Sequence, residues 1–210
     1  MDLIDLINSR SFLGSELLMW LWFKAECFDG VFDMQSGDRV ELSFDDQLTL
    51  EAYMAETERN SFRGGAPAFS PEAKTALREG KRVQSAKLCV IKEGREWAFR
   101  VKAETLGLSG VKIPSLLSKE ENEQFYERMY LLDELEEILD ALYREFLEIR
   151  LSTAWQEVML PAMQAWIKSD ELMTPTSYPD ADSLKAPLIS AKAGAASKPA
   201  AEPAEAAPAE

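Results

Sequence analysis

The chain has 210 residues, room for one well-buried domain and too little for two full ones. Its 46% apolar and 29% charged content is ordinary for a globular protein, but a net charge of -14 repels nucleic acid and anionic membranes overall, so any phosphate binding needs a local basic surface. Histidine is absent, which removes the commonest general base and metal ligand, and Cys27 and Cys89 sit in apolar patterns as buried thiols of a reducing compartment.

The first residues, Met1-Asp2-Leu3-Ile4-Asp5, are acidic where a secretory signal carries positive charge, which points to the cytoplasm. Leu3, Ile4, Leu6 and Ile7 add a turn or two of helix over 2–9. Phe12 to Cys27 is the organising stretch. Its middle, Leu17 to Phe23, is an unbroken apolar run that includes Trp20 and Trp22. A helix with no polar face is surrounded by protein or lipid, and this run is far short of the roughly 20 residues that span a bilayer. It is therefore expected under a sheet on one side and against helices on the other.

Phe28 to Met54 reads as three short strands, with Ser36-Gly37-Asp38 and Asp45-Asp46 as turns. Val40, Leu42 and Phe44 share one face, as do Leu48, Leu50, Ala52 and Met54, and the other side is wet. Glu56 to Ser70, with Arg63-Gly64-Gly65-Ala66-Pro67, reads as loop. A helix then starts at Ser70 as cap, with Pro71 first and Glu72 at its positive end, and closes at Gly80. Ala73, Ala76 and Leu77 face inward, which leaves Lys74 and Arg78 on the exposed side.

Arg82 to Ile91 and Arg95 to Ala103 form a hairpin about Glu93-Gly94. Trp97, Phe99, Val101 and Ala103 point in, while Glu96, Arg100 and Lys102 point out. The first of these strands has apolar residues on both faces, as a central strand covered on both sides does. After a loop from Leu106 to Ser118 comes the longest periodic segment. Phe125, Leu132, Leu135, Leu139, Leu142, Phe146 and Ile149 follow a 3-4 alternation that suits either packing within the domain or a dimer seam. Trp155 to Ile167 is a further helix that Pro161 kinks or splits.

The expected fold class is α+β. An antiparallel meander and hairpin sheet packs on the buried N-terminal helix, with a long C-terminal helical hairpin over 120–168, all in one domain, 1–170. Residues 174–210, an alanine, proline and glutamate tail, are expected to be disordered.

No phosphate-cradling glycine loop or Gly-x-Ser-x-Gly elbow occurs, and two isolated cysteines without histidine do not make a zinc site. Asp29, Asp33, Asp45 and Asp46 can be drawn as a hard-metal cluster, but turn and strand-edge aspartates are far more often solvated. No cofactor, metal or enzymatic activity is expected. The segment 71–102 departs from the overall charge. Lys74, Arg78, Lys81, Arg82, Lys87, Lys92, Arg95, Arg100 and Lys102 outnumber four glutamates and leave +5, whereas 120–150 carries -8. Either the basic segment faces phosphate or the two segments neutralise each other, and charge alone favours the second.

Phe12-Leu13-Gly14-Ser15-Glu16-Leu17-Leu18-Met19-Trp20-Leu21-Trp22-Phe23, with Glu72-Ala73-Lys74-Thr75-Ala76-Leu77-Arg78-Glu79-Gly80-Lys81 and the hairpin that follows, resembles the C-terminal half of the recombination-associated protein RdgC family. The resemblance runs over 12–103. It implies a cytoplasmic or nucleoid-associated protein that is not an enzyme, binds duplex DNA without sequence preference, forms a homodimer and meets partners in recombination. It supplies no individual DNA-contact residue; the basic candidates are those of the charge reading. The alternative expectation is a protein-interaction or dimerisation module that uses the helix at 125–149 and binds no nucleic acid.

Overall fold

Leu17, Leu18, Trp20, Leu21, Trp22 and Phe23 are all buried in helix α1 (Ser11–Cys27), as an all-round apolar run requires. The computed structural model describes residues 11–34, 37–52, 59–65, 68 and 70–169. The helix expected over 2–9, Met54 and the tail 174–210 lie outside these residues. The architecture is α+β: a six-stranded antiparallel sheet with helices on one face. After α1 come β1 (Val31–Asp33), β2 (Arg39–Ala52), β3 (Arg59–Arg63), α2 (Pro71–Arg78), β4 (Lys81–Lys92), β5 (Arg95–Lys102), β6 (Leu108–Lys112) and α3 (Glu121–Arg150). A turn of π-helix over Trp155–Met159 then leads into α4 (Leu160–Lys168). The strands run in the order β1-β2-β4-β5-β6, and β3 shares with β1 the outer edge of β2.

Several sequence expectations are corrected. Asp45-Asp46 is a bulge and not a turn: the pairing passes from Phe44↔Leu88 to Leu48↔Ala86, so β2 is one long strand. Two extra residues restore the parity, and Leu48 and Leu50 stay on the buried face with Val40, Leu42 and Phe44. Part of the expected loop 56–70 is strand β3, and part of the loop 106–118 is strand β6. In β4 a second irregularity, between Ser85 and Val83, puts Val83 on the same face as Ala86, Leu88 and Val90. Strand β4 is central, but only that face is buried; Cys89 and Ile91 on the other are partly exposed.

The hairpin turn is as expected. Glu93 and Gly94 have φ of 51° and 76°, the two left-handed residues of a tight turn whose twist suits paired strands. Helix α2 is capped by the Ser70 side chain, which accepts from the Ala73 N–H at 3.1 Å.

All five tryptophans, Trp20, Trp22, Trp97, Trp155 and Trp166, are in the core. Trp22 meets Trp166 edge-on at 5.4 Å, and Phe146 bridges Trp20 and Trp155 at 5.7 and 5.8 Å. Trp97 donates to the carbonyl of Leu131 at 3.0 Å, which pins α3 to the sheet. Gly14 permits the close seat of α1: a Cβ there would lie 1.9 Å from the Ala103 carbonyl oxygen.

The 3-4 seam of α3 divides between two surfaces. Leu135, Leu142, Phe146 and Ile149 are buried with Leu131 and Ile138, while Leu139 is half-buried and Phe125 and Leu132 are 60% and 41% exposed. The stripe fills the core at its C-terminal end and leaves it at its N-terminal end. Pro161, lacking an N–H, follows the π turn that splits this last helical stretch.

Candidate nucleic-acid interface

Among the described residues the helices lie on one face of the sheet, and the other face is lined by alternate residues of each strand. Along β2 these are Glu41, Ser43, Gln47, Thr49 and Glu51, opposite the buried positions. Register carries the pattern across: Gln47 faces Arg63, Glu51 lies between Arg59 and Arg82, and Ser85 faces Lys102. Arg59, Arg63, Arg82, Arg100 and Lys102 are thus exposed on one half of the open face, interleaved with Gln47, Thr49, Ser61 and Ser85. Glu51 lies in these rows, and Asp45 and Asp46 of the bulge sit against Lys87, the cross-strand partner of Arg100. Arg100 donates to the Gln47 side chain, and Arg59, Arg63 and Lys102 make no ion pair among the described residues.

The nine basic candidates separate cleanly. Arg82, Arg100 and Lys102 lie on the open face. Lys87 does too, but Asp45 and Asp46 of the bulge hold it at 2.8 and 2.9 Å. Their hydrogen bonds push the Lys87 ammonium above its ordinary range, and the bond from Lys87 holds Asp45 below its own. The rest are engaged elsewhere.

Lys74 corrects the expectation of an exposed side chain: it is buried, 2.5 Å from Glu26 and over the Trp166 ring. Helix α2 is wedged between the sheet and α4, so its buried face is wider than the apolar residues alone define. Arg78 donates to the carbonyls of Ile167 and Ser169 at 2.8 Å each and closes the end of α4. Lys81 is buried against Asn60 and Glu79. Lys92 and Arg95 both reach Glu134 of α3, and Lys92 also reaches Asp38. That ion-pair cluster is the mutual neutralisation the charge pattern suggested, confined to one end of the hairpin.

Arg59 and Arg63 were missed by sequence reasoning because β3 reads as loop. The only signal is a short alternation, Arg59-Asn60-Ser61-Phe62-Arg63, with Phe62 its one large apolar side chain. At the opposite end of the open face Glu41 and Glu96 lie on either side of Ile91, and the nearby Cys89 thiol is pushed up to about 11 by burial and then by Glu96. A thiol so raised stays protonated and is a poor nucleophile. Asp33 engages Arg39, and Asp45 and Asp46 engage Lys87, which leaves Asp29 as the fourth of the aspartates drawn as a metal cluster. Among the described residues no group of three or more histidine, cysteine or acidic side chains is placed to hold a metal ion, and no helix is long and apolar enough to cross a membrane.

Among the described residues this half of the open face carries five cations and no aromatic side chain, which suits a ligand with closely spaced negative charge. No protein-family model matches the chain, and neither a curated protein nor a solved structure matches it.

Proposed function

We propose that this chain is a non-enzymatic, RdgC-like protein that binds duplex DNA without sequence preference, through phosphate contacts from the open face of its sheet. The observation that carries the reading is the convergence of Arg59, Arg63, Arg82, Arg100 and Lys102 on one solvent-facing surface of a chain whose net charge is -14. Guanidinium groups suit phosphate because their donors are fixed in a fork. The other half of the open face carries Glu41 and Glu96, so within the sheet this half is the one that approaches a polyanion without repulsion. In a cytoplasmic, nucleoid-associated setting the ligand is chromosomal duplex, and the resemblance adds a role in recombination, with a homodimer and a recombination protein as partners.

The test is fluorescence anisotropy of a random-sequence duplex at several salt concentrations. Five phosphate contacts give a log-log slope of about -4.5. Absence of binding at low salt, or an affinity indifferent to salt, overturns the reading. Sedimentation of the full chain tests the homodimer independently.

A further inference from the structure

On the helical side of the molecule, away from the cationic face, α1, α3 and the β5–β6 edge enclose a groove of about 920 Å³. Leu21, Leu88 and Val101 contribute to its apolar lining, and Leu108 and Leu132 stand at its lips, 42% and 41% exposed. Along α3 its stripe continues beyond the groove through Met129 and Phe125, which are exposed at helical spacing from Leu132. Four carboxylates, Asp133, Glu136, Glu137 and Asp140, rim it, and no lysine or arginine lines it. Asp140 pairs with Arg144, whereas Asp133, Glu136 and Glu137 make no ion pair among the described residues.

An apolar trough with an anionic lip selects its occupant by charge. Nucleic acid and anionic lipid are repelled. A second copy of this chain seated through the same helix would bring like charges together, since 120–150 carries -8. What fits is a helix with one apolar face and one cationic face, its aliphatic side chains on the leucines and its lysines or arginines against the rim. We infer that the groove is a docking site for a cationic amphipathic helix of a partner protein.

The probe is a fluorescent amphipathic peptide of about 18 residues, five helical turns, with leucine on one face and lysine on the other. It is titrated into the full-length chain beside the same peptide with glutamate for lysine and a scrambled peptide of identical composition. Only the leucine-lysine helix is expected to bind. Reversal of Asp133, Glu136 and Glu137 to lysine should weaken it by about tenfold or more. Leu132→Ser and Leu108→Ser, at exposed positions that leave the core intact, should weaken it without changing its salt dependence. Reversal of Glu123, Glu148 and Glu157, exposed carboxylates outside the groove, should change affinity less than about twofold.

Equal binding of the scrambled peptide, or equal loss on reversing the acids outside the groove, overturns the proposal. So does binding that emerges only once Lys185, Lys192 and Lys198 are changed to glutamate. The stretch 183–201 carries these three lysines and no acid, and that outcome would make the chain's own tail the occupant.

Discussion

The guanidinium of Arg95, just past the hairpin turn, lies 2.6 Å from the carboxylate of Glu134 in the middle of α3, and Lys92 reaches the same group at 3.2 Å. Glu134 is 5% exposed. One buried acid thus holds both ends of the β4–β5 turn to the long helix, and two basic side chains are withdrawn from any ligand. Glu134→Gln should leave these cations facing each other and lower stability by about 2 kcal/mol, less than for a fully buried pair because Arg95 keeps water contact. Urea denaturation measures this; an unchanged midpoint would show that the cluster contributes nothing.

Gly14 sets the seat of α1 on the sheet. Gly14→Ala should destabilise by about 3 kcal/mol, because the added methyl meets backbone at Ala103 and no flexible side chain can give way. Thermal unfolding followed by circular dichroism checks it; a variant within experimental error of the parent would mean that α1 sits further from β5.

What was legible in the sequence had local causes. The Ser70-Pro71-Glu72 start, the Glu93-Gly94 turn and the unbroken Leu17–Phe23 run each announce their structure through nearest neighbours, and each is present. What was not legible depends on distant partners. Asp45-Asp46 has turn composition, but its carboxylates are used on Lys87 across the strand pair, and the chain bulges instead of turning. Lys74 looks like a solvent residue until Glu26 of α1 is placed beside it. Strands β3 and β6 lie at edges and carry too few large apolar side chains for their short alternation to stand out from loop composition. For that reason Arg59 and Arg63 of the candidate interface do not stand out in the sequence.

Burial pushes the Glu145 carboxyl above its ordinary value of 4.5, with Lys24 opposing the shift. A carboxylate with a raised folded pKa costs stability above that value, and this cost should be lost as pH falls through the raised folded pKa toward the ordinary 4.5. Glu145→Gln should be the more stable protein near neutrality, and the gap should close as pH falls. Asp45 acts in the opposite sense: its lowered pKa gives stability present above its ordinary value of 3.8 and lost as pH falls through the depressed folded value. Melting temperatures of both proteins across this range decide the matter; a gap that widens on acidification would contradict it.

The polyanion site proposed for this chain is the open sheet face. Its most direct test compares two charge reversals of equal size in duplex binding at low salt. Arg59→Glu with Arg63→Glu and Arg100→Glu changes that face, and Arg128→Glu with Arg144→Glu and Lys168→Glu changes exposed cations of the helical side. The first set should lower affinity by about a hundredfold or more and the second by only a few fold, since screening confines the effect to a Debye length of about 10 Å. Equal loss from both sets, or none from the first, would place the polyanion elsewhere than on the open face.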